Sequence, residues 1–340
     1  MNYNNYKDIS QFLLNSKNIV LSTHKNPDGD TLGSALGLYF ILKSLNKQVR
    51  LITPEQASDN LQWLPSYASF VVYKSEQAGV EQLISDADLL VHIDYNAFHR
   101  TGDDMAQIFE QSKNAKHIII DHHPNPQSGF AAYVSDPSAC ATAQLIYNLA
   151  AFMKVDLDQN IATCLYSAII TDTGSFSYGM EDEKPYLVAA ALVKTGIDDR
   201  WIHQKIYSDN SLDRLQLIGF AISSKLVVNK AERWAYISLT KEELERYHYK
   251  SGYTEGLVNE ALSIQNIVAA VLLTEKEGII RLSFRSKSNL PINNIARKYF
   301  DGGGHINAAG GNSSDSMPVT IERLKHHMHV YKEVLNKVEL

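Results

Sequence analysis

Five aspartates and three histidines stand in this chain where ordinary structure requires fewer polar groups. The stretch STHKNPDGDTLGS (22–34) carries His24, Asp28 and Asp30 around a Pro-Asp-Gly turn. Such a turn needs one acid: proline presets φ, the aspartate bonds its own backbone and glycine takes the positive φ. Asp94 ends the apolar run ADLLVHID, Asp121, His122 and His123 end AKHIIIDHH, and Asp172 lies in IITDTGSF. Taken singly, each has a bland explanation. Asp28 reads as a turn residue, Asp30 as a helix N-cap, and Asp94 and Asp172 as turns or caps. A lone histidine reads as a satisfied core or surface group. The Asp-His-His run resists that reading, because three polar groups directly after an isoleucine run are costly to bury without partners.

Converging carboxylates repel one another unless something neutralises them. Divalent cations would do so, and mixed histidine and aspartate ligands suit manganese, iron, cobalt or zinc better than magnesium. Six or more ligands exceed what one tetrahedral zinc takes. Two ions about 3.5–4 Å apart follow, a geometry used in phosphoester hydrolysis, where the pair acidifies a water and offsets charge on the phosphoryl oxygens. Ser22 and Ser175 have no evident base, so water rather than a side chain is the expected nucleophile.

The elements that must position these groups alternate along the first half. Strands are expected at 18–23, 48–53, 87–94 and 115–121, and helices at 31–45, 76–85, 105–112, 142–153, 158–171 and 184–194. Buried apolar strands separated by helices predict an α/β fold, a mainly parallel sheet with helices on both faces. The polar groups then fall at the carboxyl edge of the strands, where open α/β sheets build their sites. After about residue 196 the texture changes. A helical connector is expected over 197–227, followed by a smaller mixed α/β domain at 228–340. It contains an antiparallel hairpin at 267–286, a helix near 292–299, a glycine cluster and a C-terminal helix from about Thr320. The domains read as 1–196, 197–227 and 228–340.

Bulk composition agrees with an enzyme of two domains. The chain has 340 residues, 44% apolar and 21% charged. Its net charge of −6 gives no reason to expect long-range attraction of a polyanion. Cys140 and Cys164 fit no metal or redox spacing and read as buried thiols. No signal peptide or membrane-length apolar run is visible, so a cytoplasmic protein with no membrane partner is expected. The sequence leaves a homodimer open.

The segments HKNPDGDTLGS, HIDYN, IDHHPNP and ITDTGSF resemble, in order, the four motifs of the DHH phosphoesterase superfamily. FDGGGHINAAGG resembles the glycine-rich motif of the DHH-associated domain. The resemblance covers nearly the whole chain, and the two-domain length looks like the nanoRNase/pAp phosphatase group. It implies hydrolysis of very short oligoribonucleotides and of the 3′-phosphate of 3′-phosphoadenosine 5′-phosphate. It also implies two manganese ions, with His24 and Asp28 on one, Asp30, His122 and Asp172 on the other, and Asp94 bridging. Asp121 is expected to orient a ligand imidazole, and His123 to contact phosphate or handle a proton. Arg285, Ser286, Gly302, Gly303, Gly304 and His305 are implied as substrate contacts.

From residue 281 to 298 the chain carries five basic residues and no acid, a local anion-binding stretch on a net-acidic protein. For Lys287, Arg297 and Lys298 a solvated face is the preferred reading. A cleft that grips one phosphate at the glycine loop and cuts another at the metals would favour short substrates. The alternative within the superfamily is a phosphodiesterase of linear or cyclic di-adenylate. A long-substrate exonuclease and an exopolyphosphatase fit less well, and a binding module that has lost hydrolysis is disfavoured by the intact acids.

Overall fold

The computed structural model describes residues 3–177 and 182–339. The chain forms two compact units, one ending at Asp209 and one beginning at Asn210. The division falls inside the stretch read as a connector. Its helix Asp199–His203 lies in the first unit and its helix Leu212–Phe220 in the second.

The first unit is built on six strands: β1 (Asn18–Ser22), β2 (Gln48–Thr53), β3 (Phe70–Val72), β4 (Leu89–Ile93), β5 (Lys116–Asp121) and β6 (Ala132–Ser135). Their order is β3-β2-β1-β4-β5-β6, and every pairing is parallel. β3 and β6, three and four residues long, are too short for an apolar pattern to announce them. Side chains alternate across the sheet and feed two cores. Ile19, Leu21, Val91 and Ile120 face the helices Tyr3–Asn15, Gly29–Ser44, Thr142–Phe152 and Gln159–Asp172. Val20, Ile52 and Leu90 face Val80 and Ile84 of Gln77–Asp86 and Phe109 of Asp103–Gln111. That period of two is why the strands read as near-continuous apolar runs. Strand order reverses between β1 and β4, so their carboxyl ends open the crevice in which such sheets place sites.

The helix Gly29–Ser44 is buried on nearly every side. It packs against Gln159–Asp172 through a stripe of glycines four residues apart. A methyl group on Gly33 would lie 2.4 Å from the Cys164 carbonyl oxygen and 2.8 Å from the Ala168 Cβ. On Gly37 it would meet only the end of the Leu165 side chain, at 2.5 Å. The two backbones are therefore in near contact, and the acids at the adjoining helix ends are held close.

The second unit carries β7 (Leu226–Asn229), β8 (Trp234–Leu239), β9 (Ala269–Lys276), β10 (Ile279–Ser286), β11 (Gly303–Gly304) and β12 (Ala308–Ser313), ordered β11-β12-β10-β9-β8-β7. β8 and β9 run parallel; the other pairs are antiparallel. The β9–β10 hairpin turns on Glu277 and Gly278, both at positive φ (52° and 80°). That is the two-residue turn whose twist matches the strands. The last long helix starts at Met317 rather than Thr320. Pro318 in its first turn removes only an N–H that has no helical partner there.

Substituting Gly33→Ala should overpack a site with no flexible neighbour, costing about 1–3 kcal/mol against a helix-propensity gain of about 1. A fall in Tm of up to about 8 °C is expected by thermal denaturation, with a smaller fall for Gly37→Ala. Equal, negligible shifts would contradict the close packing.

Candidate metal centre

Four segments deliver the acids and imidazoles to one place. Beyond β1 the chain turns through His24 and enters the helix Gly29–Ser44. Asp28, not Asp30, is the N-cap: its Oδ1 accepts the N–H groups of Asp30 and Thr31, both at 3.1 Å. Asp30 therefore sits in the first turn and is buried. Its carboxylate accepts from the Ser34 hydroxyl (3.0 Å) and from the N–H groups of Thr142 (2.7 Å) and Ala143 (3.1 Å). Those amides open the helix Thr142–Phe152, the end that favours negative charge.

Asp94 follows β4 and has one oxygen for each imidazole. Its Oδ2 lies 3.6 Å from His24 Nε2, and its Oδ1 lies 3.6 Å from His122 Nε2 while accepting the Thr142 hydroxyl at 2.8 Å. His24 Nε2 is also 3.9 Å from Asp28 Oδ2. His122 Nε2 is 3.7 Å from Asp30 Oδ2 and 3.6 Å from Asp172 Oδ2, the last residue of Gln159–Asp172. Two groups result, His24 with Asp28 and Asp94, and Asp30 with His122 and Asp172. Within each, the ligand atoms lie within 4.8 Å of one another.

The donor chemistry fits a pair of divalent cations. His24 Nδ1 donates to the Lys25 carbonyl (2.9 Å) and His122 Nδ1 to the Ala139 carbonyl (3.1 Å). Carbonyls only accept, so both imidazoles direct Nε2 at carboxylate oxygens. Separations of 3.6–3.9 Å are too long for hydrogen bonds. They leave room between the facing nitrogen and oxygen atoms, which a divalent cation would fill.

Proton affinities express the same crowding. Burial, then Asp94 and Asp172, push Asp30 well above the ordinary carboxylate range. Burial also raises Asp172, with Asp94 and Asp28 adding to it. For His122, burial acts downward but Asp172, Asp94 and Asp30 outweigh it and raise the imidazole. Burial likewise opposes Asp94 ionising, yet the imidazoles of His24, His123 and His122 hold its carboxyl below the usual range. A cluster that draws protons this strongly is one that divalent cations would occupy in their place.

Asp121 is fully buried, and its Oδ1 accepts from His123 Nδ1 at 2.7 Å. The imidazole it orients is thus that of His123, whereas His122 is oriented by the Ala139 carbonyl. Thr142, Ala139 and Ser34 carry the site's hydrogen bonds without any mark in the sequence. Only the helix start at Thr142 was legible, and its role as an amide donor depends on the tertiary fold.

In the second unit, Arg285 and Ser286 end β10 beside the turn that carries His305. Arg285 pairs in register with Ala308, and Ser286 donates its N–H to the Asn307 carbonyl at 3.1 Å. The Ser286 hydroxyl is committed to holding this loop, donating to the Leu290 carbonyl (2.7 Å) and accepting from Asn307 (2.9 Å). The glycines divide. A methyl on Gly302 would lie 2.0 Å from the Gly310 carbonyl oxygen, and one on Gly304 (φ 132°) 2.5 Å from that of Ala308, so both serve the approach to β12. Gly303 alone faces open space. Lys298 lies over the Tyr299 ring, and Arg281 pairs with Glu277.

Comparison with known proteins places this geometry. Residues 18–169 match the DHH family N-terminal domain, and residues 238–337 match the DHHA1 domain. A Bacteroides fragilis structure described as an exopolyphosphatase-related protein superposes with a TM-score of 0.92 at 34% identity, covering 98% of both chains. The bifunctional oligoribonuclease and PAP phosphatase NrnA of Thermus thermophilus is 28% identical over 86% of this chain and 83% of its own length. The cyclic-di-AMP phosphodiesterase GdpP of Bacillus subtilis is 26% identical over 96% of this chain, which spans about half (49%) of that protein. The chain belongs to the DHH family, with a DHH domain followed by a DHHA1 domain.

Proposed function

We propose that this chain is a metal-dependent phosphoesterase that cleaves very short oligoribonucleotides to mononucleotides and removes the 3′-phosphate of 3′-phosphoadenosine 5′-phosphate. The observation that carries the chemistry is Asp94, buried between two imidazoles with one oxygen toward each. Support for the substrate class comes from the NrnA relatives, matched over most of their length. His24, Asp28 and Asp94 would hold one cation and Asp94, Asp30, His122 and Asp172 the other, with manganese proposed as the resident ion from the family resemblance, one of several ions that mixed nitrogen and oxygen donors suit. When bound, such a pair acidifies water near neutral pH and offsets phosphoryl charge. His123, anchored through Nδ1 to Asp121, is proposed to meet phosphate or move a proton. Arg285, Gly303 and His305 are proposed to take a further substrate phosphate, and Ser286, Gly302 and Gly304 to shape their loop. Among the described residues no helix is long and apolar enough to cross a membrane.

Cleavage of linear or cyclic di-adenylate is the second reading, favoured by the GdpP match across 96% of this chain. Turnover of pAp, a ladder of oligoribonucleotides and cyclic di-adenylate, compared side by side with Mn2+, separates them. Fastest cleavage of pAp and of two- to four-nucleotide RNA is expected. Rates indifferent to length would refute the short-substrate proposal, and a clear preference for cyclic di-adenylate would favour the second reading.

Asp94→Asn and His122→Ala should each lower kcat at least about 10²-fold, more than loss of an outer hydrogen-bond partner would. Unchanged steady-state rates would remove both from the chemistry.

Chelation should lower Tm by about 5–10 °C and Mn2+ restore it, as expected for an ion at about a hundred times its Kd. The raised affinities of Asp30, Asp172, His24 and His122 mean that the chelated fold binds extra protons. Binding Mn2+ must displace those protons, so the Mn2+ gain in Tm should widen as pH rises from about 6 to about 8. A Tm indifferent to chelator at both pH values would argue that no ion is bound.

A further inference from the structure

Asp94 reaches both imidazoles from a backbone in the left-handed region, with φ 64°. A non-glycine residue held there costs on the order of 1 kcal/mol or more and persists only where its neighbours fix it. On one side the restraint belongs to the sheet, since the Asp94 N–H donates to the Ile120 carbonyl at 3.0 Å. On the other side stands Tyr95, fully buried, with its hydroxyl hydrogen-bonded to both Ser22 and His92. His92 Nε2 is 3.0 Å from His117 Nδ1, and His117 Nε2 is 3.0 Å from the Ser112 carbonyl.

From Ser112 to His92 the direction of this chain follows from its acceptor end. The Ser112 carbonyl can only accept, so His117 carries its hydrogen on Nε2 and accepts at Nδ1. His92 then donates from Nε2 and accepts at Nδ1, which faces both the Tyr95 hydroxyl and, at 3.2 Å, the Ser22 hydroxyl, while those two hydroxyls bond each other. Phe98, Phe109 and Phe130 enclose the His92 ring at centroid distances of 5.0, 4.9 and 5.5 Å. Water cannot replace a lost bond there, which makes the chain stiff.

We propose that Ser22, Tyr95, His92 and His117 form a positioning device for the bridging carboxylate. By anchoring Tyr95 to β1 and β4, they hold the Asp94 turn in its left-handed form, so that each carboxylate oxygen faces its own imidazole. The four residues act through Asp94 and touch neither substrate nor reacting atoms. This inference rests on the dinuclear reading above.

The test uses Tyr95→Phe in the full chain, which keeps the ring and removes the hydroxyl. Mn2+ binding is followed by calorimetry, spin coupling between the ions by electron paramagnetic resonance, and stability by Tm in chelator. Binding of the coupled pair should weaken about 10–100-fold and the coupled signal diminish. kcat should fall by a similar factor, with KM within about twofold. Wild-type affinity and coupling in Tyr95→Phe would overturn the proposal even if Tm dropped, because a packing role alone predicts that pattern. Should Tyr95→Phe not fold, Ser22→Ala, which removes the hydroxyl bonded to the Tyr95 hydroxyl, decides on the same readouts. Wild-type protein that binds no coupled pair would instead sink the dinuclear reading itself.

Discussion

Carboxylates forced together away from water set the terms for everything else in this molecule. Asp30 and Asp94, both buried, and the partly exposed Asp172 lie around a single imidazole, that of His122, in surroundings where like charges interact more strongly than in bulk solvent. A fold can keep such a cluster only if it supplies enough compensating partners, and this one draws them from many places. Backbone amides from the start of Thr142–Phe152, hydroxyls of Ser34 and Thr142, and two imidazoles all point inward. The parallel sheet makes the arrangement affordable in geometric terms, because the carboxyl ends of β1, β4 and β5 lie side by side. The helices on one face then bring Asp30 and Asp172 to the same edge.

Much of this was legible before the fold was known, and the legible parts share a cause. Strands such as Leu89–Ile93 and Lys116–Asp121 are buried on both faces, so their apolar runs announce strand and burial together, and the polar residues that end them stand out. The β9–β10 hairpin was readable because its Glu-Gly turn needs positive φ. The short strands β3 and β6 and the helix Tyr3–Asn15 were not, since the strands are short and the helix mixes polar residues into its pattern.

Site details divide along the same line. Which residues gather could be read from type and position, but hydrogen-bond partnership could not. Asp28, expected as a turn residue, takes the capping role expected of Asp30, because the helix begins at Gly29, two residues earlier than the pattern suggested. Asp121 bonds His123, a pairing decided by side-chain directions at the end of one strand. Two of the three loop glycines turn out to be required by an adjacent strand, a need that exists only once β12 is in place.

The glycine seam between Gly29–Ser44 and Gln159–Asp172 reaches beyond packing. Gly29 abuts Thr171, and the next residues along, Asp30 and Asp172, belong to one ligand group. Their separation is thus set by Gly29 lying directly against the short Thr171 side chain and, one turn on, Gly33 against the Cys164 carbonyl, contacts with little room to breathe. A cation held between Asp30 and Asp172 would meet a gauge of fixed width, so its ionic radius would be screened partly by residues that never touch it.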